Sequence, residues 1–282
     1  MLCASTFLMQ LTQAILPVAG LGTRFLPWTK VVPKELLPLG NEPIIARIVD
    51  ECIDAGIKDI CFVINKGKEM IPEYFYENPA LEAELEKRGK KHYLERLQRY
   101  GDTDFHTVYQ DEQLGDGHAI LQAADWVQSD HVAVLFGDDL FTGDVPGIRQ
   151  LKNAYEAHVR EPGGAIVALE NIDISKTNRY GVVDIEEENA ENPRLKKLRG
   201  MVEKPEPDAA PSTLGIVGRY IIPKSTFQVL PSVGAGHGGE IRIIDALIEQ
   251  LQSIPIYGYE CEGKRIDTGT PEGYREALRV LG

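Results

Sequence analysis

The chain has 282 residues, 43% of them hydrophobic and 26% charged, the balance of a soluble globular protein with enough core to fold without covalent staples. Thirty Lys and Arg stand against 43 Asp and Glu, a net charge of −13. That charge excludes a protein built to lie along nucleic acid or an anionic membrane surface, and any anionic ligand must be met by a local cluster of cations. Cys3, Cys52, Cys61 and Cys261 form no CxxC pair, which argues against a zinc site. Cys52 and Cys61 fall in apolar stretches and read as core residues of a reducing compartment. The opening dozen residues are apolar, yet no Lys or Arg precedes Arg24 as a secretory leader would need. No apolar run is long enough to span a bilayer. The expectation is a soluble, cytoplasmic protein.

In chain order, Ala14–Ala19 reads as a buried strand and Pro43–Gly56 as an amphipathic helix ended by glycine. Asp59–Ile64 is a second strand. Lys68–Arg99, rich in Glu, Lys, Leu and Tyr, is predicted as one or two exposed helices broken near Asn78-Pro79. A strand over Asp104–Tyr109, a helix over Gly117–Val127, a strand over His131–Phe136, a helix over Val145–Val159 and a strand over Ala165–Leu169 follow. The second half reads as strands at Tyr180–Asp184, Leu195–Val202, Leu214–Ile222 and Ile256–Glu260, with the acidic Glu186–Glu191 as a solvated turn. Helices at Gly239–Gln252 and Pro271–Leu281 end the chain, Thr270 serving as an N-cap. Alternating strands and helices predict an α/β fold of three layers: a mixed, mainly parallel central sheet, with extra antiparallel strands in the second half. Residues 13–282 read as one domain, with 1–12 as an N-terminal extension and 68–100 as a helical insertion. Ligands of such sheets bind beyond the carboxyl ends of the strands.

The chemistry-bearing residues cluster at those ends. The first strand runs into Gly20-Leu21-Gly22-Thr23-Arg24, where glycines let backbone N–H groups approach a phosphate and Arg24 adds a bidentate cation. The third glycine of a dinucleotide fingerprint and the Gly-Lys-Ser/Thr of a Walker loop are both missing. By spacing alone a tight turn with a surface arginine is an equal reading, but Lys30 and Lys34 make three cations near the loop and favour an anion site. The fourth strand ends in Gly137-Asp138-Asp139, two carboxylates that are costly to bury unless solvated, paired or metal-bound. Strand alternation turns them to opposite sides, so one could hold a divalent ion while the other accepts a ligand hydroxyl. Gln110 closes the third strand before Leu114-Gly115-Asp116-Gly117-His118; its amide suits a pyrimidine edge, and Gly115 and Gly117 allow a flat base to lie against backbone. His118 reads as a helix-start residue rather than a catalytic base. Val202-Glu203-Lys204-Pro205 sets an acid beside a base at a strand end.

GLGTRFLPWTK, PKE, LGDGHA, GDDL, YGVV and VEKP occur in the order seen in the sugar-1-phosphate nucleotidylyltransferases, which the chain resembles from about Gln13 to its C-terminus. The insertion around Tyr74–Leu97 is similar to that of the bacterial UTP–glucose-1-phosphate uridylyltransferases. The resemblance implies a Rossmann-like nucleotidyltransferase fold and transfer of a uridylyl group from UTP to glucose 1-phosphate. UDP-glucose and pyrophosphate are the implied products, with Mg²⁺ as cofactor and a homodimer or homotetramer as the assembly. It implies that Ala19, Gly20 and Gly22 form the nucleotide loop, with Arg24 and Lys34 facing the triphosphate. Gln110, Gly115 and Gly117 match the base-reading segment. Asp138 matches the metal ligand, joined by Asp267. Asp139, Gly181 and Glu203 match hexose contacts, and Lys204 the contact to the sugar phosphate. Asp116, Gly137 and Thr268 depart from the uridylyltransferase pattern, and Gly137-Asp138 and Asp267-Thr268-Gly269-Thr270 look more like the thymidylyltransferases. A thymidylyl- or cytidylyltransferase, or a catalytically weak regulatory paralogue, is therefore the alternative. A plain nucleotide sensor would not need Asp139, Glu203 and Lys204 together.

Overall fold

The apolar runs become strands wherever β-branched residues recur between turn-forming glycine, proline and asparagine. The computed structural model describes residues 11–158, 163–234 and 239–282. Most of the predicted N-terminal extension and the end of the predicted helix at Val159 lie outside the described residues. The strands are β1 (Gln13–Pro17), the short pair β2 (Pro38–Leu39) and β3 (Glu42–Pro43), β4 (Asp59–Ile64), β5 (Asp104–Tyr109), β6 (His131–Leu135), β7 (Asp139–Thr142), β8 (Ala165–Asn171), β9 (Gly181–Glu188), β10 (Leu195–Glu203), β11 (Leu214–Pro223), β12 (Ile256–Glu260) and β13 (Lys264–Asp267). The helices are α1 (Ile44–Asp54), α2 (Met70–Glu73), α3 (Pro79–Lys87), α4 (Lys91–Gln98), α5 (Asp116–Leu121), α6 (Gly147–His158), α7 (Thr226–Val229), α8 (Ile243–Gln250) and α9 (Pro271–Leu281).

Nine strands form one sheet in the order β5-β4-β1-β6-β11-β8-β12-β10-β9. The first four are mutually parallel, with Gln13 opposite Asp59 and Asp59 opposite Asp104. Strand β11, buried along its whole length, runs antiparallel to both β6 and β8. Strand β12, expected as an antiparallel addition, pairs parallel with β8 and antiparallel only with β10. The two faces carry separate cores. Ile44, Ile48 and Cys52 of α1 pack with Ile148 and Leu151 of α6 on one face. Ala119 and Ile120 of α5 join Ile243 and Leu247 of α8 on the other. Helices therefore cover both sides of the sheet, giving three layers.

Several local expectations shift. The 68–100 segment folds as three helices, because Asn78 caps α3 by accepting from the Leu81 amide at 3.1 Å and Gly89 turns left-handed before α4. Phe75 stacks on Phe62 of β4 and Phe105 of β5, and Tyr100 meets Phe75 and Phe105 edge-on, clamping this insertion. Glu186–Glu188 lie on β9 rather than in a turn, since Lys197 and Lys196 of the facing β10 pair with Glu186 and Glu188. Thr270 does cap α9, its hydroxyl accepting from the Gly273 amide at 3.1 Å. Helix α8 begins four residues later than predicted. Its start is set from another element: the partly buried Asp116 accepts from the Ile243 amide at 2.8 Å, satisfying a donor the helix cannot. Burial pushes the Asp116 carboxyl up to about 6, the backbone amides of Ile243 and Gly117 only partly offsetting it.

An uninterrupted apolar strand holds one charge, Arg219, whose side chain is fully enclosed. Its guanidinium grips both carboxylate oxygens of Glu51 on α1 at 2.6 and 2.8 Å and donates to the Asp139 carbonyl at 2.7 Å. Glu51 in turn accepts from the Ile148 amide in the first turn of α6 at 2.8 Å. Removing one member leaves the other as an uncompensated buried charge. Arg219→Leu should therefore lower unfolding free energy by about 3–5 kcal/mol, and Glu51→Leu in the same chain should restore part of it. Urea midpoints of the single and double variants check this; additive losses would mean that the pair is not coupled.

A second expectation concerns pH. The folded Asp116 keeps its proton to about pH 6, whereas an unfolded aspartate releases it near 3.8. The native state therefore holds the extra proton in that window, and stability falls as pH rises through it. Asp116→Asn mimics the protonated form. It should match the wild-type protein at pH 3.5 and exceed it by on the order of 2 kcal/mol at pH 7.5, read from melting at both pH values.

Candidate active site

Strand β1 ends at Pro17, and the chain turns over the carboxyl ends of its neighbours. The backbone entering the Gly20 loop is held from β4 and the turn after it. Val18 donates to Val63, while Lys68 Nζ and Asn65 Nδ2 donate to the carbonyls of Val18 and Ala19, each at 2.7 Å. A Cβ at Gly20 would meet nothing within 4 Å, so the space over this residue is open. Gly22 is left-handed at φ 65° and starts the 3-10 turn Thr23–Phe25, its carbonyl accepting from the Thr29 hydroxyl. Arg24 stands exposed at the rim and reaches the Gly269 carbonyl at 3.3 Å, while Lys30 stays exposed outside the cleft.

A cleft of about 350 Å³ opens beyond these strand ends, lined among others by Ala19, Gly20, Lys34, Gln110, Gly115 and Asp138. Six of the expected residues thus share one wall. Gln110 continues from β5, its amide nitrogen donating to the Gly115 carbonyl at 3.0 Å and to His118 Nδ1 at 3.1 Å. Gly115, at φ 107°, must be glycine because a Cβ would run into the Ile241 carbonyl. Gly117 faces away from the cleft: it packs against the backbone of Arg242 and Ile243 and donates to Ile241 at 2.9 Å. Its small size serves chain packing behind the site rather than a base in front of it. Gly137, a departure from the family pattern, is also forced by packing, since a Cβ there would lie 2.7 Å from Val18.

Asp138 and Asp139 do point apart. Asp138 pairs with Lys34 at the cleft wall, and that lysine holds its carboxyl below the usual range in spite of burial. Burial opposes the charge on Lys34, but Asp138, Glu35 and Asp267 around it raise its pKa above an ordinary lysine's. Asp267 stands nearby, its Oδ1 accepting from the Gly269 amide. A Cβ on Gly269 would lie 2.6 Å from Asp138 Oδ2 and 2.9 Å from Asp267 Oδ1, so two carboxylate oxygens from distant parts of the chain flank one point. Thr268 braces this arrangement, with both its amide and its hydroxyl donating to the Asp138 carbonyl at 2.7 Å.

Asp139 is corrected by the structure. It is 5% exposed, with one carboxylate oxygen 2.5 Å from Arg265, the other accepting from the Gly218 amide at 2.9 Å, and its carbonyl held by Arg219. Burial raises its pKa, and Arg265 works against the rise. The side chain is an internal anchor, not a free acceptor for a sugar hydroxyl. Gly181, Glu203 and Lys204 come together elsewhere, because the antiparallel pairing of β9 and β10 sets Gly181 opposite Glu203. Lys204 is the one non-glycine residue with positive φ among the described residues, at 49°, and its side chain is half exposed. Its amide donates to Tyr180, and Glu203 Oε1 lies 3.3 Å from Lys204 Nζ and 3.1 Å from Arg242. Two cations thus meet on one carboxylate oxygen, in backbone strained in the way typical of functional sites.

Sequence reading missed the residues that support this wall. Lys68, nearly enclosed, donates to Glu35 at 2.9 Å as well as to Val18, and burial lowers its pKa against the pull of Glu35. Arg219, a lone charge within the apolar run of β11, was an available signal, whereas Lys68 stands between Lys66 and Glu69 and gave none. The expectation of a cationic cleft is also corrected. Its lining holds Lys34 against Glu35, Asp116, Asp138 and Glu240, and Arg24, Lys30 and Lys204 are not part of it.

The sequence matches the nucleotidyl transferase family over residues 13–281. It is 41% identical over 266 residues to a UTP–glucose-1-phosphate uridylyltransferase of Staphylococcus haemolyticus, covering 94% of this chain and 90% of that one. It is 39% identical to that of Bacillus subtilis, covering 93% and 88%. The fold superposes on a UDP-glucose pyrophosphorylase solved with UDP-glucose with a TM-score of 0.84, at 33% identity over 96% of this chain and 98% of that one. It superposes on a UTP-bound enzyme of the same kind from Acinetobacter baumannii with a TM-score of 0.87, at 32% identity over 96% and 93%. The chain belongs to the nucleotidyl transferase family, in the branch of the bacterial UTP–glucose-1-phosphate uridylyltransferases.

Proposed function

We propose that the protein transfers a uridylyl group from UTP to glucose 1-phosphate, giving UDP-glucose and pyrophosphate. The observation that carries this reading is the meeting, in one cleft, of a base-edge amide from β5 with a lysine–aspartate pair beyond β6. Relatives that match nearly the whole chain bear the corresponding names, and UTP and UDP-glucose occupy the similar solved structures.

A sugar phosphate is mostly dianionic at neutral pH, so its oxygen is already a nucleophile. It attacks the α-phosphorus of UTP, the bond to the bridging oxygen of the β-phosphate breaks, and pyrophosphate departs with that electron pair. No side chain need remove a proton. The work left to the protein is positioning and charge neutralisation. Gln110 meets the base, and the open space over Gly20 admits the phosphates. Lys204 holds the attacking phosphate, while Lys34 and Arg24 face the departing charge.

The acidic lining supports a divalent cation as cofactor. A triphosphate entering beside Asp138 and Glu240, with Lys34 the one cation among the described lining residues, is opposed unless further positive charge accompanies it. Asp138 and Asp267 would hold that ion, their oxygens already flanking one point beside Gly269. The described residues include no cluster of three or more His, Cys, Asp or Glu fit to hold a metal. That donor set suits Mg²⁺, which takes one or two carboxylates and draws its remaining ligands from phosphate oxygens and water. When bound, it supplies charge neutralisation to the phosphates.

Pyrophosphate release with UTP, CTP, ATP, GTP and dTTP, each against glucose, galactose and N-acetylglucosamine 1-phosphates, tests the reading. UTP with glucose 1-phosphate should give the highest kcat/KM; preference for dTTP or CTP would transfer the assignment to another nucleotide. Asp138→Asn should cut activity by about a hundredfold or more at every Mg²⁺ concentration. It should also cost some thermal stability, because Lys34 loses its partner. Retention of wild-type Mg²⁺ dependence would remove Asp138 from the metal site. Lys204→Ala should lower kcat and raise the KM for glucose 1-phosphate, with kcat/KM down by on the order of a hundredfold. Lys204→Arg should recover little, a planar fork replacing a compact charge. Steady-state kinetics with UTP saturating separates the two parameters.

A further inference from the structure

Glu203 closes β10, and its two carboxylate oxygens have different surroundings. Oε1 accepts from Arg242 at 3.1 Å and lies 3.3 Å from Lys204 Nζ. Oε2 has no hydrogen-bond partner among the described residues and stands on the side of Gly181, where a Cβ would come within 3.3 Å of it. The two cations on Oε1 are not alike. The Lys204 side chain is half exposed on a flexible four-carbon stem, whereas that of Arg242 is only 11% exposed. The backbone of Arg242 is pinned as well. It immediately precedes α8, and both its neighbours are tied to the segment after β5. Ile241 donates to the Leu114 carbonyl at 2.7 Å and accepts from Gly117, while Ile243 donates to Asp116.

Uridylyl transfer asks more of Lys204 than one charge can do. The sugar phosphate arrives mostly as a dianion, and a single ammonium shared between it and Glu203 leaves negative charge unbalanced. Arg242 supplies a second positive charge whose place does not depend on where Lys204 goes. We infer that Arg242 is a positioning residue for the sugar phosphate: it holds and balances Glu203, so that Oε2 is presented to a hexose hydroxyl while Lys204 is released to the attacking phosphate. The inference rests on the uridylyl-transfer reading, in which Lys204 takes the phosphate and Glu203 faces the hexose. It adds that a residue at the start of α8, 39 positions along the chain from Glu203, decides whether that adjacent pair can divide its work. The effect belongs to the sugar side. Arg242 Nε also stands 3.7 Å from Glu240, which lines the nucleotide cleft, but that carboxylate is exposed and solvent screens the pair.

The test measures kcat and the KM of each substrate for the wild-type protein, Arg242→Met, Arg242→Lys, Glu203→Ala and the double variant Arg242→Met with Glu203→Ala. Methionine keeps bulk without charge or donor; lysine keeps the charge. Arg242→Met should raise the KM for glucose 1-phosphate by about tenfold or more, the scale of one charge-assisted hydrogen bond, while kcat and the KM for UTP stay within about threefold of wild type. Arg242→Lys should recover most of the loss. With Glu203 already removed, Arg242→Met should change the KM for glucose 1-phosphate by less than about threefold, because nothing is left for the arginine to hold. Melting curves establish that each variant is folded, and should Arg242→Met not fold, Arg242→Gln replaces it. An unchanged KM for glucose 1-phosphate, an equal rise in the KM for UTP, a lysine no better than methionine, or the full loss persisting beside Glu203→Ala overturns the inference and leaves uridylyl transfer standing. Failure of the wild-type protein to join UTP and glucose 1-phosphate overturns the uridylyl reading itself, and the inference with it.

Discussion

Where Asp138 stands depends on one buried guanidinium. Arg219 sits opposite Leu135, the last residue of β6, and its side chain reaches the Asp139 carbonyl where β7 begins. The link between those strands is Phe136-Gly137-Asp138, so the arginine fixes the far end of the turn that presents Asp138. A charge so enclosed is tolerable only with Glu51 against it, and Glu51 is held by the amide of Ile148. Strand, turn and two helices therefore share one electrostatic solution. Moving any one of them would expose an unpaired charge in an apolar interior.

The same pairing rule orders the cleft. An acidic protein that handles polyphosphates faces repulsion twice, once from its overall charge and once from the carboxylates it needs. It answers with matched pairs, Lys68 with Glu35 and Lys34 with Asp138, set side by side along the wall. The first is inward and structural, tying the Gly20 loop to the turn after β4 through the Val18 carbonyl. The second faces the open space and can exchange its partner for a ligand. Adjacent residues Lys34 and Glu35 thus serve different ends, because a short 3-10 turn, Lys34–Leu36, points one into the cleft and the other under it.

Local patterns foretold most of the framework. Strands β4, β5 and β12 begin and end where hydropathy alternation and turn residues place them, and α9 runs from the predicted proline to the predicted leucine. Those signals are contained within a dozen residues. The features that eluded the sequence are long-range. Asp139 looked available because its partners, Gly218 and Arg265, lie about eighty and more than a hundred residues away. Gly117 looked like a base platform because nothing nearby announced that the Arg242 backbone would pack against it. The start of α8 was misjudged for the same reason, its capping acid arriving from the first turn of α5. The short pair β7 and β13 is invisible until segments more than a hundred residues apart meet. Motif order did gather residues in space, since Ala19, Lys34, Gln110 and Asp138 line one cleft.

The aromatic clamp on the 68–100 insertion has a consequence for how the molecule comes apart. Helices α3 and α4 bury no residue of their own, and the segment is fastened by Phe75 and Tyr100 near its two ends and by partly exposed ion pairs of Arg96 and Arg99 with Glu42 and Asp50. The sheet draws its cohesion from two cores that do not include the helices between those rings. The segment can therefore open as a separate cooperative unit while the strands stay paired, with amide protons in α3 and α4 exchanging long before those of β1 or β11. The left-handed Gly89 between them is the natural place for a protease to cut. A chain nicked there would keep β4 and β5 in register, and the carboxyl-end cleft with them.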